Sequence, residues 1–267
     1  MSICVSFINE IKKIILKTKK LKRLYSVKHP NTKYKLDDII NDIIYVLKTG
    51  ISWRSIRTPI NFRTLYFHFK RFVKHDIFGR LFKKIRNNHI NNNNNISDTY
   101  IIDSSFIMNI CGKNKISRNK FFKNKNCNKI SLITDDNGIP LSVLVNKGTV
   151  HDVTFINKHY NDLIILSKKN NIKKYLLADK AYESKKYRIK LLKYNYNLMV
   201  PKKKGAISNY YFNKLLYKKR IKVEHTFQKI KTYRRIRNRY DKLFRVYKQF
   251  VLMGSSLLIY KWFILKG

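Results

Sequence analysis

Five consecutive asparagines, Asn91 to Asn95, separate two different hydrophobic periodicities. A polar run of this kind cannot build a core, so Asn87 to Ile96 reads as a linker, with the domain boundary inside residues 87–98. Before it, apolar residues recur at helical spacing. Leu36, Ile39, Ile40, Ile43 and Leu47 share one helix face, with Asp37 and Asp38 in the first turn and Gly50 as the stop. A second helix starts near Asn61 with Phe62, Leu65, Phe69 and Phe72 inward. A third follows Asp76, carrying Ile77, Leu81, Phe82 and Ile85. These helices, residues 36–86, suit a helix-turn-helix-like module that presents Arg63, Lys70 and Arg71 to DNA. An ordinary small helical bundle fits the same pattern. Residues 1–35 read as a basic lead-in, partly helical through Ile8, Ile11, Ile14 and Ile15, then loose through His29-Pro30-Asn31.

Beyond the asparagines the pattern becomes that of strands. Thr99 to Phe106 reads as a strand ending in polar residues. Lys129–Thr134 and Leu141–Asn146 read as strands around the turn Asp135-Asp136-Asn137-Gly138. A helix over His151–Lys168, a strand over Lys174–Asp179, a helix over Ser184–Lys193 and a short strand Leu198–Val200 follow. A helix from Ser208 to Lys231 and a last one from Lys242 complete the chain. That order predicts a mixed α/β sheet flanked by helices across residues 99–267. The apolar run Phe250–Leu265 is broken by Gly254, Ser255, Ser256, Tyr260 and Lys261, which suits a buried core helix and not a bilayer span.

Charge narrows the partner. Fifty-nine Lys and Arg face only 15 Asp and Glu, a formal net charge of +44. Self-repulsion on that scale implies a polyanionic partner, most economically nucleic acid. An A/T-rich gene would also raise Lys, Asn, Ile, Tyr and Phe together, but it accounts poorly for the scarcity of acids. Cys4, Cys111 and Cys127 are widely spaced, which argues against a disulfide framework or a zinc site and fits a reducing compartment. The basic N-terminus lacks the order of a secretory signal.

Against that scarcity, each carboxylate carries weight. Only Glu10, Glu183 and Glu224 are glutamates. On the helix centred at Glu224, Tyr217, Arg220, Glu224, Gln228 and Lys231 fall within about 40° of one line. Phe212, Leu216, Val223, Phe227 and Ile230 form the core stripe beside it, and Lys214, Lys218, Lys222, His225 and Lys229 a basic one. Taken alone, Arg220 and Glu224 could be no more than a solvated i,i+4 ion pair, worth a few tenths of a kcal/mol. The order Tyr217-x2-Arg220-x3-Glu224-x6-Lys231, however, resembles the signature around the last acidic residue of DDE transposases. The likeness is to enzymes of bacterial insertion sequences of the "insertion sequence five" and "insertion sequence four" groups.

Two further carboxylates, Asp103 and Asp179, close the first and fourth strands of the catalytic half. Adjacent strand ends would bring them together under Glu224, an oxygen-only donor set for hard divalent cations. Three like charges are not otherwise held together, since each raises the proton affinity of the others. Two ions at such a site can serve the attacking and leaving oxygens of a phosphodiester displacement. Arg220 and Lys231 suit phosphate oxygens. Tyr217 can stack on or hydrogen-bond to DNA, or simply pack.

The likeness widens around these residues. Ile101-Ile102-Asp103-Ser104-Ser105 resembles the family's first catalytic strand, and Leu177-Ala178-Asp179-Lys180-Ala181-Tyr182 its second motif. Asp135-x-x-Gly138-x-Pro140, His151-Asp152 and Thr49-Gly50-Ile51-Ser52-Trp53-Arg54 resemble further landmarks. The resemblance implies an RNase H-like fold with Asp103, Asp179 and Glu224 as the catalytic, metal-binding triad. It implies two magnesium ions, for which manganese may substitute. It also implies double-stranded DNA as partner, both terminal inverted repeats and target, handled by a dimer or higher assembly. Asp135 and Asp136 read as turn formers, and Asp152 and Glu183 as helix caps, although beside a metal site His151 or Asp152 could matter and Glu183 could reach it. Rival readings are a nuclease of the same fold that cuts without joining, a non-catalytic DNA-binding derivative, and a packaging protein held by charge.

Overall fold

The computed structural model describes residues 3–25, 33–92, 97–167, 172–201 and 212–266. The chain forms two compact units. One takes Met1–Asn92, Asn109–Asn114 and Ile230–Gly267, the other Asn93–Met108 and Lys115–Lys229. In chain order the elements are α1 (Ile3–Lys17), α2 (Lys19–Tyr25), α3 (Leu36–Thr49), α4 (Phe62–Lys74), α5 (Ile77–Asn92), β1 (Thr99–Asn109), β2 (Ser117–Asn119), β3 (Lys125–Asp135) and β4 (Pro140–Lys147). There follow α6 (Val153–Lys158), α7 (Tyr160–Ser167), β5 (Lys174–Leu177), α8 (Lys185–Leu192), β6 (Tyr196–Met199), α9 (Lys214–Tyr217), α10 (Ile221–Lys231), α11 (Arg234–Arg237) and α12 (Phe244–Lys266).

The first unit is helical. In α3 the apolar stripe Ile39, Ile40, Ile43, Ile44 and Leu47 is buried, and Gly50 ends the helix with φ 69° while its N–H donates to Val46 O at 2.9 Å. Glycine is required there twice over. A side chain is disfavoured at that φ, and a Cβ would stand 2.8 Å from Arg234 Cβ. Asn61 caps α4 by accepting the Arg63 N–H at 2.9 Å.

Three boundaries differ from the sequence reading. The lead-in is core. Phe7, Ile8, Ile11, Ile14 and Ile15 of α1 and Leu21 and Tyr25 of α2 are buried, and Glu10 receives Lys13 and Lys84 at 2.8 and 2.6 Å. His29-Pro30-Asn31 lies outside the described residues. The helix α5 runs on to Asn92 with His89 and Ile90 buried, so residues 87–92 are helix and not linker; Asn93 to Asn95 lie outside the described residues. Finally, Ile230–Gly267 groups with the helical unit. Its helix α12 buries Val246, Phe250, Val251, Met253, Leu257 and Ile259. Ser255 and Ser256 sit within this helix, their hydroxyls donating to Val251 O and Leu252 O at 2.9 and 2.8 Å. Among the described residues no helix is long and apolar enough to cross a membrane.

The second unit holds the sheet. The strand β3 runs antiparallel to β1, from Tyr100↔Asp135 to Met108↔Cys127, and on its other side to β4 and β2. The strand β5 lies parallel to β1 (Thr99↔Tyr175 to Ile101↔Leu177), and β6 parallel to β5. Parallel neighbours need crossovers, which α6 and α7 supply before β5, and α8 before β6. Antiparallel β1 to β4, continued by the parallel β5 and β6 with helical crossovers, make an RNase H-like arrangement. Tyr100, Ile101 and Ile102 of β1 and Ile130 to Thr134 of β3 are buried, as central strands covered on both faces should be.

The expected helix over 151–168 is two. His159 stands between α6 and α7, fully buried, with Nε2 at 2.9 Å from Ser131 Oγ and Nδ1 at 2.7 Å from Ser142 Oγ. Burial pushes its pKa down to about 3, so it is a neutral core histidine. Lys168 lies outside the described residues. Asp135 forms its turn as expected, accepting the N–H groups of Asn137 and Ile139 at 3.0 and 2.8 Å.

Candidate active site

Asp103 lies within β1 opposite Leu132, not at the strand's end. The strand continues because β3 pairs with it through Met108, whereas its pairing with β5 covers only Thr99–Ile101. Asp103 is therefore two residues beyond Ile101, and Asp179 two residues beyond Ile101's parallel partner Leu177. The two aspartates occupy equivalent positions where the two strands part. Asp179 is exposed and caps the short 3-10 turn Lys180–Tyr182, accepting the Lys180 N–H.

Glu224 comes from α10. The expected single helix from Ser208 is instead α9, a 3-10 turn at Lys218–Arg220, and α10. Asn213 caps α9 by accepting the Leu216 N–H at 3.0 Å; Ser208 and Asn209 lie outside the described residues. Val223, Phe227 and Ile230 are buried as their spacing predicts, and Lys222, His225 and Lys229 are exposed. Thr226, on neither expected stripe, is buried too. Its hydroxyl lies 2.6 Å from Gly138 O and 2.9 Å from Lys222 O. Gly138 has φ 83°, and a Cβ there would come within 2.8 Å of Thr226 Oγ1. Lys219 adds an ion pair to Asp136 at 2.9 Å. The Asp135–Gly138 turn thus fixes the height of α10, and with it Glu224.

Arg220 joins the carboxylates. Its Nη1 donates to Asp103 Oδ2 at 3.3 Å and its Nη2 to Glu224 Oε1. Burial alone would lower its pKa, but Asp103, Tyr217, Glu224 and Asp179 together raise it. A single guanidinium does not offset the desolvation of Asp103, whose side chain is 21% exposed. Burial lifts that carboxyl to about 6, despite the Ser104 N–H and Arg220, and the charges of Asp179 and Asp152 add to the rise. Tyr217 donates from its phenol to Ala178 O at 3.2 Å, tying α9 to the residue before Asp179. The i,i+4 pair weighed from sequence is therefore real, yet its arginine also reaches a third element.

Asp152 takes the N-cap position of α6, but its carboxylate makes no cap bond. It accepts instead from Ser104 Oγ and from Lys129 Nζ at 2.8 Å, and its charge acts on Asp103. Beneath lies Tyr182, buried, with its phenol held far above the ordinary value by burial and then by Asp103 and Asp152. Nothing in spacing distinguishes a cap aspartate from one folded back onto a strand; the adjacent His151-Asp152 landmark was the only signal. Glu183 is no cap: Ser184 caps α8, and Glu183 grips Arg188 through both oxygens.

The remaining sequence candidates do not join this cluster. Lys231 falls in the helical unit with Ile230, and burial, then Arg237, lowers its pKa. Arg63 and Lys70 stand exposed on α4, while Arg71 is half-buried with its guanidinium 4.2 Å from the Phe67 ring. Among the described residues, no three His, Cys, Asp or Glu side chains converge closely enough to hold a metal ion. Arg220 stands between Asp103 and Glu224 in this arrangement. The donor chemistry nonetheless fits a hard cation: carboxylate oxygens around a half-buried carboxyl whose cationic partner here is Arg220.

A family model for the transposase DDE domain matches residues 95–259. A cryo-EM structure of the piggyBac transposase synaptic complex with hairpin DNA is similar at a TM-score of 0.50 and 13% identity, over 98% of this chain and 73% of that one. The crystal structure of the catalytic domain of Mos1 mariner transposase is similar at a TM-score of 0.30 and 10% identity, over 67% of this chain and 91% of that one. No curated protein sequence matches the chain. The piggyBac likeness bears on fold alone. The family match takes in well over half of the sequence, including Asp103, Asp152, Asp179, Glu183 and Glu224, and the chain belongs to the transposase DDE domain family.

Proposed function

We propose that the protein cuts the ends of its own DNA element and joins them to new DNA, with Asp103, Asp179 and Glu224 as the catalytic carboxylates. The observation that carries this reading is Arg220 bonded to both Asp103 and Glu224 while Asp179 sits at the position equivalent to Asp103 on the neighbouring strand. Family membership supplies the reaction class. In cleavage, water oxygen bonds to phosphorus, the P–O3′ bond breaks, and the 3′-oxygen leaves as a hydroxyl. In joining, that hydroxyl attacks a target phosphate and releases a new 3′-hydroxyl, so one phosphodiester replaces another. Divalent cations held by the three carboxylates, magnesium or manganese, would polarise the phosphate and stabilise attacking and departing oxygens. Arg220, released from a carboxylate, is placed to take a phosphate oxygen. Tyr217 holds the Asp179 segment in place, and Asp152 with Lys129 steadies β1 beside Asp103.

On this reading the helical unit binds the terminal inverted repeats through Arg63, Lys70 and Arg71, and Lys231 meets the backbone. Two ends must be handled together, which calls for a dimer or larger assembly on DNA. The test is supercoiled DNA carrying the element's ends, incubated with magnesium, manganese or chelator. Metal-dependent 3′-end cleavage should disappear in Asp103→Asn, Asp179→Asn and Glu224→Gln while DNA binding persists. Cleavage that survives any one substitution removes that residue from the triad. Cleavage without joined product would make the protein a nuclease instead.

A further inference from the structure

The helical unit carries a second feature, which shares Arg63 and Lys70 with the proposed repeat-binding residues. A groove of about 880 Å³ opens beside α4, large for a site that encloses a small molecule (about 300–1,000 Å³). Aromatic rings line it without closing it: Phe67 is 51% exposed and Tyr240 39% exposed. The ring of Trp53, also in the lining, packs on Phe69 at 5.3 Å, and its buried indole N–H has no protein acceptor. Exposed Arg63, Lys70 and Lys242 stand around these rings. The one acid in the lining, Asp241, is buried and held by Arg235 at 2.8 and 3.2 Å, so no carboxylate opposes an anion there.

Flat apolar faces alternating with cations match a ligand that alternates flat bases with phosphates. A double helix offers its phosphates but keeps its base faces stacked inside, so the rings would find nothing to cover them. Unpaired DNA exposes both, and stacking on aromatic side chains with cations along the backbone is how single strands are held. We propose that this groove holds one or two unpaired nucleotides, with bases against Phe67 and Tyr240 and phosphates on Arg63, Lys70 and Lys242. The inference rests on the reading that the protein handles DNA ends, where strand opening would supply such nucleotides.

The test uses the full chain and fluorescence anisotropy at fixed salt, with three labelled probes: oligothymidylate, an abasic deoxyribose-phosphate strand of equal length, and a duplex. Wild type should bind oligothymidylate roughly 10-fold or more tighter than the abasic strand, the scale of one or two stacked bases. Phe67→Ala with Tyr240→Ala should erase that difference and leave abasic binding unchanged, which also shows that the variant folds. Phe67→Trp should keep it, and Lys70→Ala should weaken both single strands alike. Equal binding of the two single strands by wild type, or a difference that survives loss of both rings, overturns the proposal. The Asp103→Asn chain should discriminate as wild type does. Failure of the cleavage reading and failure of this one therefore appear in separate measurements.

Discussion

Replacing Asp103 by Asn should stabilise the metal-free protein, and the gain should depend on pH in a way the site dictates. A carboxyl that titrates near 6 in place of 3.8 costs about 3 kcal/mol to keep ionised, at about 1.4 kcal/mol for each tenfold change in proton affinity. Between pH 4 and 6 the folded protein retains a proton that the unfolded chain has released, so this group's contribution to stability falls as pH rises and levels off above 6. Asn mimics the protonated carboxyl at every pH. The variant should match wild type near pH 4 and exceed it by up to about 3 kcal/mol above pH 7, less a fraction for the lost Arg220 contact. His159 and His68, whose burial lowers their pKa values to about 3 and about 4, act in the opposite direction. Folded and neutral, they bind fewer protons than the unfolded chain, so their stabilisation is present above pH 6.5 and lost as pH falls. Both proteins contain them, and the difference between variant and wild type cancels them. Urea denaturation with chelator at fixed salt, repeated from pH 4 to pH 8, measures that difference. A difference independent of pH, or one favouring wild type at high pH, would refute an electrostatically uncompensated Asp103.

Other substitutions test the supports of the site. Thr226→Val keeps shape but strands the buried Gly138 carbonyl now bonded at 2.6 Å; it should cost about 1–3 kcal/mol in denaturant and lower cleavage, with Thr226→Ser close to wild type in both. Arg220→Ala removes the cation that holds Asp103 down, so the carboxyl should titrate above 6 by carbon-13 NMR, and Arg220→Lys should bring it partway back. In the helical unit, Arg235→Met leaves Asp241 buried and unpaired, which should cost about 3–5 kcal/mol. Adding Asp241→Asn should recover most of that loss, as read by the shift in denaturation midpoint.

Local physics was legible in the sequence because it depends on neighbours along the chain. The 3.6-residue recurrence of Val223, Phe227 and Ile230 marked the buried face of α10. The Asp-Asp-Asn-Gly run marked a turn, and Gly50 a helix stop, since only local dihedral preferences are involved. Scarcity of acids made Asp103, Asp179 and Glu224 conspicuous, and their motifs carried the family. What periodicity cannot say is which partner an apolar face meets. The stripe of α12 reads the same whether it covers a sheet or joins a helical unit, and only packing assigned Ile230–Gly267 to the latter. Register was equally hidden. Asp103 stands mid-strand because β3 goes on pairing past the last residue that pairs with β5, a balance between two strands distant in sequence. The turn of 3-10 helix before α10, Asp152 folded back on Ser104 and Lys129, and Arg220 shared between two carboxylates all arise from contacts across tens of residues. The chain alone singled out the groups proposed to carry the chemistry; folding decided which of them meet, because desolvation and pairing act between atoms brought close only in three dimensions.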